Sequence, residues 1–346
     1  MAGRCLLVGN PTAQSGKARQ SLERASAGLR ARGHEVTFVA TEPAGRTVEV
    51  VRRAIDDTKP ALVVYLGGDG TFNEVARGIL ASSARVPLGM LPMGTANDQG
   101  RSFGIRPGPD AIDENLDVIV RGHVTELDAG RIEALSTTDD AVLRETLFFD
   151  SAGWGMQPDI LATRNRDRAA VSQIPLVRDL YRDQAVYLGA AIDRFLTSFV
   201  EPATFDAMVV ADGGRHDYEG LTDLIVSGTA VYAGEWVLDR DSEPDDGRFE
   251  LAPIQGRRDW LAKSLRDLAF VPVAGDELDM LGVACSAGLS ASRLEVRLFS
   301  HGTQPVRSQV DGEEWARAER YRVTVLPRAL PLVTREGFVP PWRAPR

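Results

Sequence analysis

Cysteine is nearly absent from this 346-residue chain: Cys5 and Cys285 are the only two. Cys5 sits in what reads as a short buried strand, so a disulfide framework is not expected and a reducing compartment fits. Histidine is equally sparse. His34, His123, His216 and His301 are scattered without zinc-type spacing and read as ordinary surface or loop residues. A surplus of positive charge is lacking too. The net charge of −9 excludes a general nucleic-acid binder but leaves room for a local basic face. No apolar run approaches a membrane span, and the stretch before Asn10-Pro11 is too short for a signal peptide. A cytoplasmic protein is expected. What remains is an ordinary globular composition, 43% apolar and 26% charged, in a chain long enough for two domains with a full core.

The first hundred residues alternate. Residues 4–9, 35–40, 61–66 and 86–91 read as strands; 16–32, 46–57 and 71–81 read as helices, and 96–103 starts another. The continuous apolar pattern of 61–66 marks a strand buried on both faces. Such repetition predicts a parallel sheet flanked by helices, with ligands at the carboxyl ends of its strands. Asn10, Thr41, the glycine turn 67–70 and the loop 93–98 all fall at such ends and should converge on one crevice. Residues 110–122 read as an inter-domain stretch. From Val124 the pattern changes to short strands separated by turns, at 124–133, 146–152, 203–211, 223–227, 248–254, 293–298 and 322–325. This is the signature of an antiparallel sandwich or barrel. Helical interruptions are expected at 176–200 and 259–268.

Residues 66–75, LGGDGTFNEV, set three glycines around Asp69 between a strand and a helix. Taken alone this is a tight turn, where glycine supplies unusual backbone angles. A second loop, GMLPMGTANDQ at 89–99, offers Thr95, Asn97 and Asp98, which are capping and phosphate-contacting types. A third polar strand exit is GNPTAQSGK at 9–17. GGDGTFNEV followed by LPMGTAND resembles the diacylglycerol kinase catalytic-domain family, which includes bacterial soluble lipid kinases and, more distantly, sphingosine and ceramide kinases. NAD kinases share the glycine-aspartate turn but lack GTAND. The resemblance continues in the same order through VTELDAGR (124–131), LFFDSAGWG (147–155), PDDGRFE (244–250), VDGEE (310–314) and VLPRALPLV (325–333). Two departures stand out: Glu235 interrupts a run that is often glycine-rich, and Asp150 stands where the family often has Asn.

The resemblance implies an α/β plus β architecture. Residues 1–123 would form a parallel α/β ATP-binding domain and 124–325 an antiparallel β-sandwich lipid-substrate domain, with 326–346 packing back at the interface. The implied activity is transfer of the γ-phosphate of ATP to a lipid hydroxyl, most simply that of diacylglycerol, in lipid metabolism. Alternatives are a sphingoid-base or soluble polyol kinase, or a nucleotide-binding regulatory protein without transfer activity. The implied nucleotide set is Asn10, Thr41, Gly67, Gly68, Asp69, Gly70, Thr71, Phe72, Asn73, Gly94 and Thr95. Phosphates would lie on the glycine N–H groups, and Asp69 would face them across Mg²⁺, which travels with ATP. The family's DGE glutamate corresponds to Glu313, the implied base, although VDGEE alone reads as a turn. Asp98 and Asp128 match supporting acids. Asp246, with carbonyls of Glu243 and Arg248, matches a second, structural Mg²⁺ site; the plain alternative is a hairpin turn. A lipid substrate implies peripheral contact with the inner membrane face. Residues 164–182 and 257–268, basic and apolar by turns, are candidates, or else solvated faces over a buried stripe. A homodimer is left open.

Overall fold

The computed structural model describes residues 3–13, 17–94, 96–155, 204–232, 236–237, 242–255 and 288–340. The helices expected at 176–200 and 259–268, both candidate membrane stretches, Glu235 and Thr95 lie outside the described residues.

The first part follows the alternation: β1 (Arg4–Gly9), α1 (Lys17–Ala31), β2 (Glu35–Ala40), α2 (Thr47–Thr58), β3 (Leu62–Gly67), α3 (Asp69–Ala81), β4 (Leu88–Pro92) and α4 (Asp98–Ser102). The strands pair in parallel in the order β2-β1-β3-β4. Successive side chains of β1 and β3 enter opposite cores. Leu6, Val8, Val63 and Tyr65 pack with Val51 and Ile55 of α2 and Phe72, Val75 and Ile79 of α3. Cys5, Leu7, Leu62 and Val64 pack with Leu22, Ala25 and Leu29 of α1. Glycine inside a helix costs about 1 kcal/mol against alanine, and α3 tolerates Gly78 because α2 lies against it. A Cβ there would stand 2.8 Å from Val51.

The stretch 110–122, expected to link domains, is mostly a helix, α5 (Ile112–Arg121). Ile112, Leu116 and Ile119 recur at i, i+4 and i+7 and enter the core beside α1. Gly122, at φ 70°, ends it. The acidic residues between those apolar positions disguise a packed helix as a polar connection.

The antiparallel part begins with β5 (Val124–Leu135), β6 (Val142–Phe148), β7 (Ser151–Gly155), β8 (Phe205–Ala211) and β9 (Gly214–Ser227). It continues with β10 (Val231–Tyr232), β11 (Trp236–Val237), β12 (Phe249–Gln255), β13 (Leu289–Ala291), β14 (Arg293–Ser300), β15 (Ser308–Val310), β16 (Glu313–Glu314) and β17 (Arg320–Val333). Its core gathers Phe148, Trp154, Phe205, Leu224, Phe249, Leu294 and Tyr321. The pair β10-β11 stands apart; the other described strands form one sheet with β1–β4. The joint is β17, which unites the short strand expected at 322–325 with the closing Pro-rich strand that the resemblance implied at 325–333. It pairs antiparallel with β5 along its length and with β14 over its first half, and Leu332 pairs in parallel with Leu88 of β4. A register shift between Leu326 and Leu330, with Arg328 at φ 50°, marks the crossing. No helix among the described residues is long and apolar enough to cross a membrane.

Candidate active site

Because β3 and β4 are parallel neighbours, the loops that follow them leave the same sheet edge side by side. The Met93 N–H donates to the Gly67 carbonyl at 2.7 Å. A Cβ on Gly68 would stand 3.1 Å from the Cα of Gly94, and one on Gly94 would stand 2.6 Å from the Cα of Gly68. Glycine is required at both positions by the contact of the loops with each other. Gly70 faces open space. Asn97, at φ 57°, closes its own loop: its Oδ1 accepts from the Gly94 N–H at 2.8 Å and its Nδ2 donates to the Gly94 carbonyl at 2.7 Å. Asp69 then joins the loops. Its Oδ2 accepts from the Asn97 N–H and its Oδ1 from the Asp98 N–H, each at 2.9 Å. Burial pushes the Asp69 carboxyl above its ordinary range, and those N–H groups pull against the shift. The aspartate inside the glycine turn thus clasps the neighbouring loop.

Three further acids gather beside this clasp. Asp98 opens α4 and Asp150 lies between β6 and β7; each is 8% exposed. Asp311 sits at the tip of the β15–β16 hairpin. Val310 pairs with Glu313, and Asp311 and Gly312 between them have φ 46° and 76°, the positive angles of a type I′ two-residue turn. The turn aims the Asp311 carboxylate at the chain between β6 and β7. Oδ1 accepts from the N–H groups of Asp150 at 2.9 Å and Ser151 at 3.1 Å, and Oδ2 from Phe149 at 3.1 Å. The Asn73 amide on α3 also donates to Oδ2. Burial outweighs these donors and raises Asp311 to about 6. Asp150 accepts from Thr229 Oγ1 at 2.7 Å and Ser151 Oγ at 3.1 Å. Its carboxyl lies well above its usual range, first through burial and then through the nearby Asp98 and Asp311 charges. Burial raises the Asp150 and Asp311 carboxyls alike, and repulsion from neighbouring charges adds to the shift on Asp150.

The expected residues divide. Asn10 and Thr41 reach the same edge: the Thr41 N–H donates to the Gly9 carbonyl at 3.1 Å, and Asn10 Oδ1 accepts from Thr12 N–H at 3.0 Å. Thr71 stands against Gly67. Phe72 is 1% exposed and packs edge-on to Tyr65 and Phe149, so its ring belongs to the core. Asn73 points at Asp311. Glu313 is exposed on β16, and no described hydrogen bond or ion pair joins it to the acids. Asp128 belongs to a second constellation. Its Oδ1 accepts from Arg328 N–H and its Oδ2 from Gly247 N–H, both at 2.6 Å, and its own N–H donates to the Pro244 carbonyl at 2.7 Å. It therefore ties the acidic 244–248 turn to the β17 irregularity, and burial with the Asp245 and Asp246 charges raises its carboxyl. Asp246 Oδ1 accepts from Arg248 N–H at 2.9 Å within that turn, and Glu243 lies just before it. Among the described residues no three His, Cys, Asp or Glu side chains converge as metal ligands. A cation at this turn would rest on Asp246 and main-chain carbonyls. Sequence reasoning missed Asp150 and Asp311 as site residues. A carboxylate inside the apolar run LFFDSAGW was a signal for the first; the second reads as an ordinary hairpin aspartate.

Residues 4–132 match the family model of the diacylglycerol kinase catalytic domain. Curated diacylglycerol kinases of Staphylococcus aureus, strains bovine RF122 / ET3-1 and Newman, are each 38% identical over 132 residues, 38% of this chain and 41% of the relative. The match spans about two fifths of those relatives' length. A solved structure described as a diacylglycerol kinase from Bacillus anthracis str. Sterne superimposes with a TM-score of 0.68 at 18% identity, covering 97% of this chain and 98% of that one. Yeast NADH kinase complexed with NADH gives 0.51 at 10% identity, covering 96% and 84%. These two likenesses are of fold alone.

Proposed function

We propose that the chain is an ATP-dependent kinase that transfers the γ-phosphate of ATP to a lipid hydroxyl, such as that of diacylglycerol. The observation that supports this most is the pair of glycine loops clasped by Asp69 at the sheet edge, with Asp98, Asp150 and Asp311 beside them. In this reading the triphosphate lies over the loops near Asn10 and Thr41, with open approach at Gly70. Mg²⁺ would come with ATP and neutralise phosphate charge; Asp98 and Asp69 would be the carboxylates that hold it. A second cation at Asp246, with carbonyls of Glu243 and Arg248, would relieve the repulsion among Asp128, Asp245 and Asp246. The acceptor oxygen attacks the γ-phosphorus, the bond to the β–γ bridging oxygen breaks, and ADP leaves. The acceptor's proton passes to a base, and Asp311, raised to about 6, is poised for that task. Glu313, two residues along the same hairpin, is the alternative base. A lipid acceptor entails peripheral contact with the inner membrane face.

The test is incubation of the purified chain with γ-labelled ATP and a panel of lipid extracts, with nucleotide binding measured in parallel. A labelled lipid is the expected product. Nucleotide binding without lipid-dependent turnover would overturn the reading in favour of a regulatory nucleotide-binding protein.

A further inference from the structure

Strand β2 ends the sheet: among the described strands it pairs with β1 alone, in parallel and without a register shift from Glu35 to Ala40. The Glu35 N–H donates to the Gly3 carbonyl and the Thr41 N–H to the Gly9 carbonyl, each at 3.1 Å. Alternate residues from Glu35 on therefore turn their main-chain groups toward β1. Val36, Phe38 and Ala40 turn theirs outward at the edge. Among the described residues the guard on those groups is Arg30, whose Nη2 donates to the Val36 carbonyl at 3.3 Å, a long bond at an exposed site. The devices that usually blunt an edge, a proline, a lysine or a bulge, are missing from EVTFVA. Phe38 lies 45% exposed, one of the few large apolar side chains left to solvent. It shares a face with Val36, which packs on the α1 side of the sheet, whereas Val39 packs on the α2 side.

We propose that β2 pairs antiparallel with β2 of a second copy of this chain, about a two-fold axis that passes beside Phe38 and runs normal to the sheet. The strand is its own complement in that register. Phe38 faces Phe38 of the partner subunit, Val36 faces the partner's Ala40, and Ala40 faces the partner's Val36. These are the residues whose N–H and carbonyl groups point outward, so each facing pair exchanges both main-chain hydrogen bonds. The N–H of the partner's Ala40 takes the place of Arg30 at the Val36 carbonyl. The exposed ring gains an aromatic cross-strand neighbour, and Thr37 lies opposite the partner's Val39. Glu35 faces the partner's Thr41, which keeps the two Glu35 carboxylates about 20 Å apart along the strands. A shift of one residue would turn outward groups against inward ones, so the alternation itself restricts the pairing. The carboxyl ends of the two parallel sheets point opposite ways, which leaves both candidate active sites open. The interface stands whether or not the chain is a kinase.

The experiment is sedimentation velocity on the purified full chain over a dilution series, with circular dichroism to verify folding. Phe38→Lys charges the edge. Phe38→Pro removes an outward N–H without breaking the ladder to β1. The wild type should sediment as a dimer that dissociates on dilution, and both variants should raise its dissociation constant tenfold or more with the spectrum retained. The register has its own test in oxidative cross-linking, with the wild-type cysteines as control. Phe38→Cys should give a disulfide-linked dimer, because facing Cα atoms in such a pair stand about 5.5 Å apart. Thr37→Cys should not, because its counterpart lies about 7 Å further along the strand. A wild type that is monomeric at every concentration would overturn the interface. So would a dimer that the folded Phe38→Lys and Phe38→Pro variants leave unchanged. Cross-linking of Thr37→Cys in place of Phe38→Cys would overturn the register.

Discussion

Asp311 concentrates the chemistry that a single residue can supply here. Its left-handed backbone, at φ 46°, is uncommon for a side chain other than glycine and clusters at functional sites. Three main-chain N–H groups and the Asn73 amide favour its charged form, yet burial wins and leaves the carboxyl at about 6. If it is the base, Asp311→Asn lowers turnover by roughly 10²–10⁴ with nucleotide affinity unchanged, whereas Glu313→Gln, on an exposed strand, has little effect. The reverse pattern would move the base to Glu313. Turnover should rise with pH through about 6 and level off above it. Removing one of the donors that stabilise the anion, by Asn73→Leu, should move that limb to higher pH. The Asp150 carboxylate nearby repels the Asp311 charge, in the same direction as burial. Stability has its own sign. A carboxyl raised from 3.8 to about 6 stabilises the fold fully below the lower value and loses that contribution as pH rises through the upper one. The melting temperature of Asp311→Asn should therefore gain on the wild type between pH 4 and 7, and a constant difference would show that Asp311 titrates normally in the fold.

At the scale of elements, the loops after β3 and β4 act as one body. Gly68 and Gly94 meet backbone to backbone, and Asp69 pins the Asn97 and Asp98 amides. A Cβ at Gly94 would meet the backbone Cα of Gly68 at 2.6 Å, which cannot swing aside, as well as Asn97 Oδ1 at 3.1 Å. Gly94→Ala should force the loops apart and lower Mg-ATP affinity by calorimetry, with the far-ultraviolet spectrum retained. Undiminished affinity would show that the nucleotide does not depend on loop contact. This scale also separates what the sequence disclosed from what it withheld. β1 and β3 were legible because buried parallel strands are continuous apolar runs bounded by turn residues. α5 was hidden by acids between its apolar positions. β9 began nine residues before its readable end because Gly214–Tyr218 alternates little and lies exposed. The glycine loops were legible as neighbouring strand exits, but not the partner of Asp69, which lies 28 residues away. The contacts of Asp311 are hidden further still, because they span about 160 residues. No periodicity reports a contact of that range; only the closure of the antiparallel sheet brings the hairpin tip to the chain before β7.

For the whole molecule the decisive element is β17, which belongs to both halves. Its first half pairs with β14 in the antiparallel core. Its Leu332 pairs with Leu88 of β4, and Leu330 and Leu332 enter the core shared with α2 and α3. Asp128 reinforces the crossing by holding Arg328 N–H and Gly247 N–H at once. A sheet shared in this way gives neither half an edge at which to come away alone, so unfolding should be one cooperative transition rather than two. The chain supplies its own probes. All five tryptophans, Trp154, Trp236, Trp260, Trp315 and Trp342, follow the α/β part, whereas the five α-helices described all precede Val124. Tryptophan fluorescence thus follows the second half, and far-ultraviolet ellipticity includes the five described helices of the first. The two melting curves should coincide. Leu330→Ala, which empties a fully buried position in the shared core, should cost about 2–5 kcal/mol and lower both midpoints together. Two separate midpoints in the wild type, or a Leu330→Ala shift confined to ellipticity, would mean that β17 joins the halves in register without coupling their stability.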